Sequence, residues 1–226
     1  MRRVRLDVDL GELPDEPEAL YAAAHLVNVA AGGHAGDDAS MRRACRLALR
    51  YGAEIGAHPS YPDRPHFGRR SMPLPRAALQ STLRAQLAAL GQAALAEGAR
   101  VTHLKAHGAL YHDAARDPSV AEVLIETALE SLGAPAILAP PRAALADAAE
   151  EAGLVVLVEG FADRGLGPDG ALLPRAAPGA MLDDVQAVRA QALRLRGEGV
   201  YDVLCVHGDG PRAAELARAV REALDG

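Results

Sequence analysis

The sequence predicts an α/β fold on a parallel sheet, and three observations predict it. Short β-type runs alternate with longer stretches of helical period through the whole chain. Half of the 226 residues are hydrophobic, yet only 3% are aromatic and none is Trp. The core must therefore be built from Ala, Leu and Val, which suits parallel strands covered by helices. No repeat, low-complexity linker or composition shift divides residues 1–226, so a single domain is expected.

Seven strands are expected. Residues 4–8 alternate apolar and charged side chains, and 26–30 form a short apolar run that ends in glycines. Residues 54–57 run into His58 and Pro59, and 101–104 follow a break at Gly98. Residues 136–139 end in two prolines, 154–158 form the clearest apolar run, and 203–206 form the last. Helices fill the intervals. Residues 37–50 open with acidic groups and stop at Gly52, as a capped helix does. Leu79, Leu83, Leu87 and Leu90 make one stripe of a second helix. Asp117 and Pro118 place a cap residue before a proline at the first helical position, and Gly133 follows the end. Residues 183–196 and 211–224 complete the series, while 59–75 read as a long functional loop. Seven such units either close into an irregular barrel or stay open as a doubly wound sheet. Composition leaves both possible.

Several function classes are disfavoured. A formal net charge of -6 and scattered arginines give no basic surface for nucleic acid. No run of about 18 apolar residues is present, and no apolar stretch follows the charged start, so a cytoplasmic protein with no membrane association is expected. Cys45 and Cys205 lie in different elements without C-x-x-C spacing, which argues against a disulfide or a thiolate metal site. Neither a G-x-x-x-x-G-K-[ST] phosphate loop nor a G-x-S-x-G elbow occurs.

The informative pattern is positional. Nearly every expected strand ends in polar or ionisable residues. The first runs into Asp9 and Glu12, the second into His34, the third into His58, and the fourth into Lys105, His107 and Tyr111. The sixth runs into Glu159, Asp163 and Arg164, and the seventh into His207 and Asp209. Parallel strands share one direction, so these ends converge on one rim, where sites in α/β folds lie. Asp9, His34, His58, Lys105, His107, His207 and Asp209 are the catalytic candidates. Glu12, Arg69, Arg70, Tyr111, Asp163 and Arg164 are candidates for binding substrate. Each has a structural alternative: Asp9 as a turn cap, Lys105 with a snorkelling stem, Arg69 and Arg70 as a solvated pair. His25, His66, His103 and His112 are read as structural or surface residues. One carboxylate and two imidazoles, Asp9, His34 and His58, form a possible ligand set for a divalent metal. The same groups also serve a metal-free acid/base mechanism.

Six strings then become specific in order: DVDLGE (7–12), VNVAAGGHAGD (27–37), GAHPSYPDRPHFGRRSM (56–72), HLKAHGALYH (103–112), FADRGLGPDGALLPR (161–175) and CVHGDGP (205–211). Together they resemble the LamB/YcsF family, that of the A component of 5-oxoprolinase, over nearly the whole chain. The resemblance implies a distorted seven-stranded (β/α) barrel, similar to the glycoside hydrolase and deacetylase barrel. It implies ATP-dependent hydrolysis of 5-oxoproline to L-glutamate with partner subunits B and C. The missing phosphate loop agrees with ATP being bound together with those partners. The chain departs from the family pattern at Asp7, Val8, Ala31, Gly33 and Ala106, and keeps Asp9, Glu12, His34, His58, Lys105, His107, Asp163, Arg164, His207 and Asp209. Two other functions compete: a metal-dependent deacetylase or amidohydrolase that uses no ATP, and a non-catalytic binding subunit.

Overall fold

All seven expected strands form, and they close on themselves. The structure is a computed structural model that describes residues 3–167 and 171–226. Its strands are β1 (Arg5–Leu10), β2 (Leu26–Ala30), β3 (Glu54–His58), β4 (His103–Leu104), β5 (Ala136–Ala139), β6 (Val156–Phe161) and β7 (Val203–His207). They pair in parallel in chain order. β7 returns to β1 with Asp7 opposite Cys205 and Asp9 opposite His207, which makes a closed barrel rather than an open sheet.

Eight helices among the described residues clothe the barrel: α1 (Glu18–Ala23), α2 (Asp38–Tyr51), α3 (Arg76–Ala96), α4 (Gly108–Arg116), α5 (Pro118–Leu132), α6 (Ala144–Glu151), α7 (Val185–Glu198) and α8 (Ala213–Asp225). Their ends show why they start and stop. Asp37 accepts the Ser40 N–H at 2.8 Å while Ser40 Oγ accepts the Asp37 N–H, a reciprocal cap on α2. That helix ends at Gly52, φ 72, where a left-handed residue is needed. Asp117 caps α5 through the Ser119 N–H and Asp184 caps α7 through the Ala187 N–H. By contrast α1, α3, α4, α6 and α8 have no side-chain cap at their starts, and three of these, α1, α4 and α6, are not among the helices expected from the sequence. The strand expected at 154–158 starts two residues later, because the Leu154 N–H closes α6 on Ala149 O.

Strand pairing sorts the side chains into layers. Leu6, Val8 and Leu10 of β1 face the helices and join the main apolar core. The alternate residues, Asp7 and Asp9, face the lumen. The lumen is plugged at one end by a separate cluster, Leu26, Leu138 and Val203, with Leu157 against it. Above this plug the lumen is polar. Gly56 makes room for it, since a Cβ there would lie 2.1 Å from the His103 ring.

The loop at 59–75 folds back over the strand exits. It carries a short 3-10 turn, Arg64–His66, and Gly68 O accepts the Ala109 N–H at the start of α4. Its first residues are held by Gln86 of α3, whose side-chain amide pairs with both the N–H and the C=O of Ser60. Residues 168–170, within the string 161–175, lie outside the described residues. Among the described residues no helix is long and apolar enough to cross a membrane.

Candidate active site

The floor of the site is an ionic cluster sealed in the lumen. Lys105 Nζ, 2% exposed as a residue, lies 2.8 Å from Asp9 Oδ1, 3.1 Å from Asp7 Oδ2 and 2.7 Å from Glu159 Oε1. Its stem does not snorkel to solvent. Asn28 donates to both Asp7 Oδ2 and Asp9 Oδ1, and its carbonyl accepts the His103 Nε2–H at 3.0 Å. Three carboxylates around one ammonium cannot all be ionised in so dry a place. Burial opposes the charge on Asp9, but Lys105, then His58 and His207, hold its carboxyl well below the usual range. Burial pushes Glu159 well above its usual value, against the pull of Lys105. Burial also disfavours the Lys105 ammonium, but Asp7 and Asp9 outweigh it and keep the lysine charged. Glu159 is therefore the carboxyl that holds a proton, with the Tyr111 phenol beside it.

A second cluster sits at the rim. Glu12 Oε1 lies 3.0 Å from His34 Nε2, 3.3 Å from His107 Nδ1 and 3.8 Å from His58 Nε2. His58 Nε2 and His107 Nδ1 are 2.9 Å apart. The rings of His34 and His107 stack at 3.6 Å with a 4° angle between planes. Burial lowers the pKa of His34 and takes that of His58 to about 3, so both imidazoles are neutral. Glu12 is pulled well below the usual carboxylate range: burial acts against this, and the imidazoles of His107 and His34 beside it prevail. One ligand atom from each of Glu12, His34, His58 and His107 falls within 4.8 Å of the others, a set compatible with a divalent metal.

Glu12 is placed by a residue the sequence reading missed. The Glu16 carboxylate accepts the N–H groups of Gly11 at 2.8 Å, Glu12 at 2.8 Å and Leu13 at 3.0 Å, and the Tyr21 hydroxyl at 2.9 Å. It thereby ties down the turn that leaves β1. Gly11 adopts φ 74 in this turn.

A cavity of about 400 Å³ opens over both clusters. Asp9, His58, Lys105, His107 and His207 reach its walls, with Tyr111 and Phe161 as an apolar side. His207 is oriented by Asp163, which accepts the His207 N–H at 2.8 Å and lies 3.0 Å from Nδ1. Burial disfavours the imidazolium, but Asp163 outweighs it and raises the His207 pKa. Arg69, Arg116, Arg164 and Arg175 ring the mouth. Asp209 bridges two of them, 2.6 Å from Arg69 and 3.3 Å from Arg175. Arg164 donates to the carbonyls of Ala180 and Leu173.

The structure thus gathers twelve of the thirteen candidates at one end of the barrel, divided between floor, rim and mouth. Arg70 is exposed and away from the cavity walls, the solvated alternative for that residue. Lys105 and Asn28 engage Asp9; the metal-compatible set that holds His34 and His58 takes Glu12 and His107, and Asp9 falls in another set with Cys205 and His207. Asp209 is tied to arginines rather than poised to move a proton. Glu12 and His34 stand behind His58 and His107 and are not on the cavity walls. His112, read as a surface or structural residue, lines the cavity, and His103 is part of the lumen network. Asp7, Asn28, Glu16 and Gln86 carried no signal, because each reads as strand, loop or helix interior.

A family model described as the LamB/YcsF family matches residues 4–226. Among solved structures, the crystal structure of a lactam utilization protein from Thermus thermophilus superposes with a TM-score of 0.90. It is 33% identical and the match covers 99% of this chain and 96% of that chain. An old yellow enzyme homologue from Zymomonas mobilis shares the fold alone, with a TM-score of 0.51 and 13% identity over 93% of this chain and 87% of that chain.

Proposed function

The chain belongs to the LamB/YcsF family, and from that premise we propose that it is the subunit of an ATP-dependent 5-oxoprolinase that opens the lactam of 5-oxoproline to L-glutamate. Partner subunits B and C, with ATP as co-substrate, complete the reaction. The likeness to a lactam utilization protein supports a small cyclic amide as substrate. The observation that carries the proposal is the convergence of Asp9, His58, Lys105 and His207 on one cavity of about 400 Å³ beneath a ring of arginines.

The chemistry follows from the groups. A lactam carbonyl is a poor electrophile. Phosphoryl transfer from ATP to its oxygen makes the ring carbon open to water. Water then adds to that carbon, the ring C–N bond breaks as the nitrogen takes up a proton, and a second water hydrolyses the resulting acyl phosphate to the carboxylate and inorganic phosphate. Asp9, kept ionised by Lys105, orients and deprotonates the water. His207, whose charged form Asp163 favours, gives the proton to the leaving nitrogen. Lys105 faces the developing negative charge, and the arginine mouth receives the substrate carboxylate or phosphate. A divalent metal held by the rim histidines would supply Lewis-acid polarisation.

The test is glutamate release from 5-oxoproline and ATP with the cognate partners. The intact chain should be required, and His207→Asn should cut turnover by at least ~100-fold while the fold is kept. Full turnover with His207→Asn would mark a binding subunit instead. Hydrolysis of acetylated sugars or amides by the lone chain without ATP would mark a deacetylase-type enzyme.

A further inference from the structure

Two histidines of the rim face one another in a way that their own hydrogen bonding does not explain. His58 Nδ1 lies 2.8 Å from the Lys105 carbonyl, and a ring nitrogen so placed must be an N–H. The lone pair of the neutral His58 ring is therefore on Nε2. His107 Nε2 lies 2.9 Å from the Phe67 carbonyl and is an N–H by the same reasoning, so the neutral form of this ring carries its lone pair on Nδ1. These two lone-pair atoms are 2.9 Å apart. Such a pair is repulsive unless a positive charge lies between them, either a proton or a metal ion.

The surroundings choose between these. A proton joins two atoms, whereas four converge here. Glu12 Oε1 sits 3.0 Å from His34 Nε2 and 3.3 Å from His107 Nδ1, so a carboxylate and a third imidazole share the focus. Ligand atoms of one small ion at about 2.0–2.2 Å lie roughly 3.3–3.6 Å from each other; the separations here run from 2.9 to 3.8 Å, and the parallel stack of His34 on His107 opens when both rings turn to one ion. Backbone carbonyls fix the far nitrogens of His58 and His107, the outer arrangement that orients metal-bound histidines. Glu16 gives the carboxylate ligand the same support through its hold on the 11–13 turn.

We propose that Glu12, His34, His58 and His107 form a binding site for one divalent transition-metal ion of the zinc type. Three imidazoles and one carboxylate suit zinc, cobalt or nickel better than magnesium or calcium, which prefer all-oxygen sets. Asp9 is excluded from the set because Lys105 and Asn28 already engage it. The use of the ion rests on the proposed hydrolysis, but the site itself does not, so binding is measured without turnover.

The test uses the full chain carrying no polyhistidine tag, stripped with chelator and titrated calorimetrically with zinc chloride. One ion per chain is expected, with a rise in melting temperature. His107→Ala and Glu12→Gln should each weaken binding by ~10–100-fold or more, and Glu16→Gln by a smaller factor within or below that range. His66→Ala, at an exposed histidine, should leave it unchanged. Glu12→Gln keeps the side-chain shape, and circular dichroism on each variant separates lost binding from lost fold. No zinc uptake by the folded chain would assign the His58–His107 gap to a shared proton and overturn the proposal. So would zinc binding that survives His107→Ala, or that is lost instead on His207→Asn.

Discussion

The floor and the rim of this barrel face the same physical problem and meet it differently. In both, carboxylates are buried among polar groups where water cannot screen them. At the floor, Asp7, Asp9 and Glu159 gather around Lys105, so the chain supplies its own cation. At the rim, Glu12 is surrounded by three imidazoles, two of them neutral from burial, and no lysine or arginine stands among the four. The lesson is that the source of the neighbouring cation separates the two clusters: at the floor it is a lysine of the chain, and at the rim imidazoles stand in its place.

The comparison can be broken most directly at Lys105. Lys105→Met should cost about 3–5 kcal/mol, since it leaves Asp7 and Asp9 buried without their partner. Urea unfolding would measure it, and a cost no larger than that of His34→Ala would erase the distinction between floor and rim. Gly56→Ala comes next. Its methyl would collide with the His103 ring, at an expected cost of about 1–3 kcal/mol by the same method. Wild-type stability after Gly56→Ala would mean that the lumen is not tightly filled.

The floor also predicts an acid dependence. Burial, then Arg5 and Lys105, takes the His103 pKa down to about 3. The unfolded chain binds this proton below about pH 6.5, whereas the folded chain refuses it until about pH 3. The stability tied to a neutral His103 is thus complete above pH 6.5 and is lost as pH falls from there toward 3, by up to about 1.4 kcal/mol per pH unit. His25, lowered to about 4 by burial and by Arg221, adds in the same direction. Unfolding midpoints from pH 7 to 4 should fall less steeply in His103→Gln, and an unchanged slope would contradict the assignment. The smallest effect sets the baseline. Arg42→Ala, which removes an exposed pair with Asp38 on the outer surface, should change stability by no more than about 0.5 kcal/mol.

Much of this architecture was legible in the chain itself, and the parts that were not share physical causes. All seven strands could be found because their apolar runs end in glycine, proline or charge. The closure of β7 on β1 could not be read from composition, since an open sheet has the same elements. Helix α4 was hidden because it starts straight from the strand exit at His107 without a cap. At the site, Asp9, His58, Lys105 and His207 were legible because they stand at strand ends. Asp7 and Asn28 were not, because a lumen-facing polar residue inside a strand looks like one that faces solvent. Glu16 and Gln86 act on backbone groups far from the strand ends, and no spacing rule announces that. The sequence could not show that Glu12 and His107 stand beside His34 and His58 while Lys105 engages Asp9, so the grouping of the metal candidates was not legible.

The claim that floor and rim differ in the cation they use meets its most direct test in a zinc-edge anomalous diffraction experiment on crystals soaked with zinc. A single strong peak among Glu12, His34, His58 and His107, with none beside Lys105, is the predicted result. A peak beside Asp9, Cys205 and His207, or no peak at the rim at all, would contradict it.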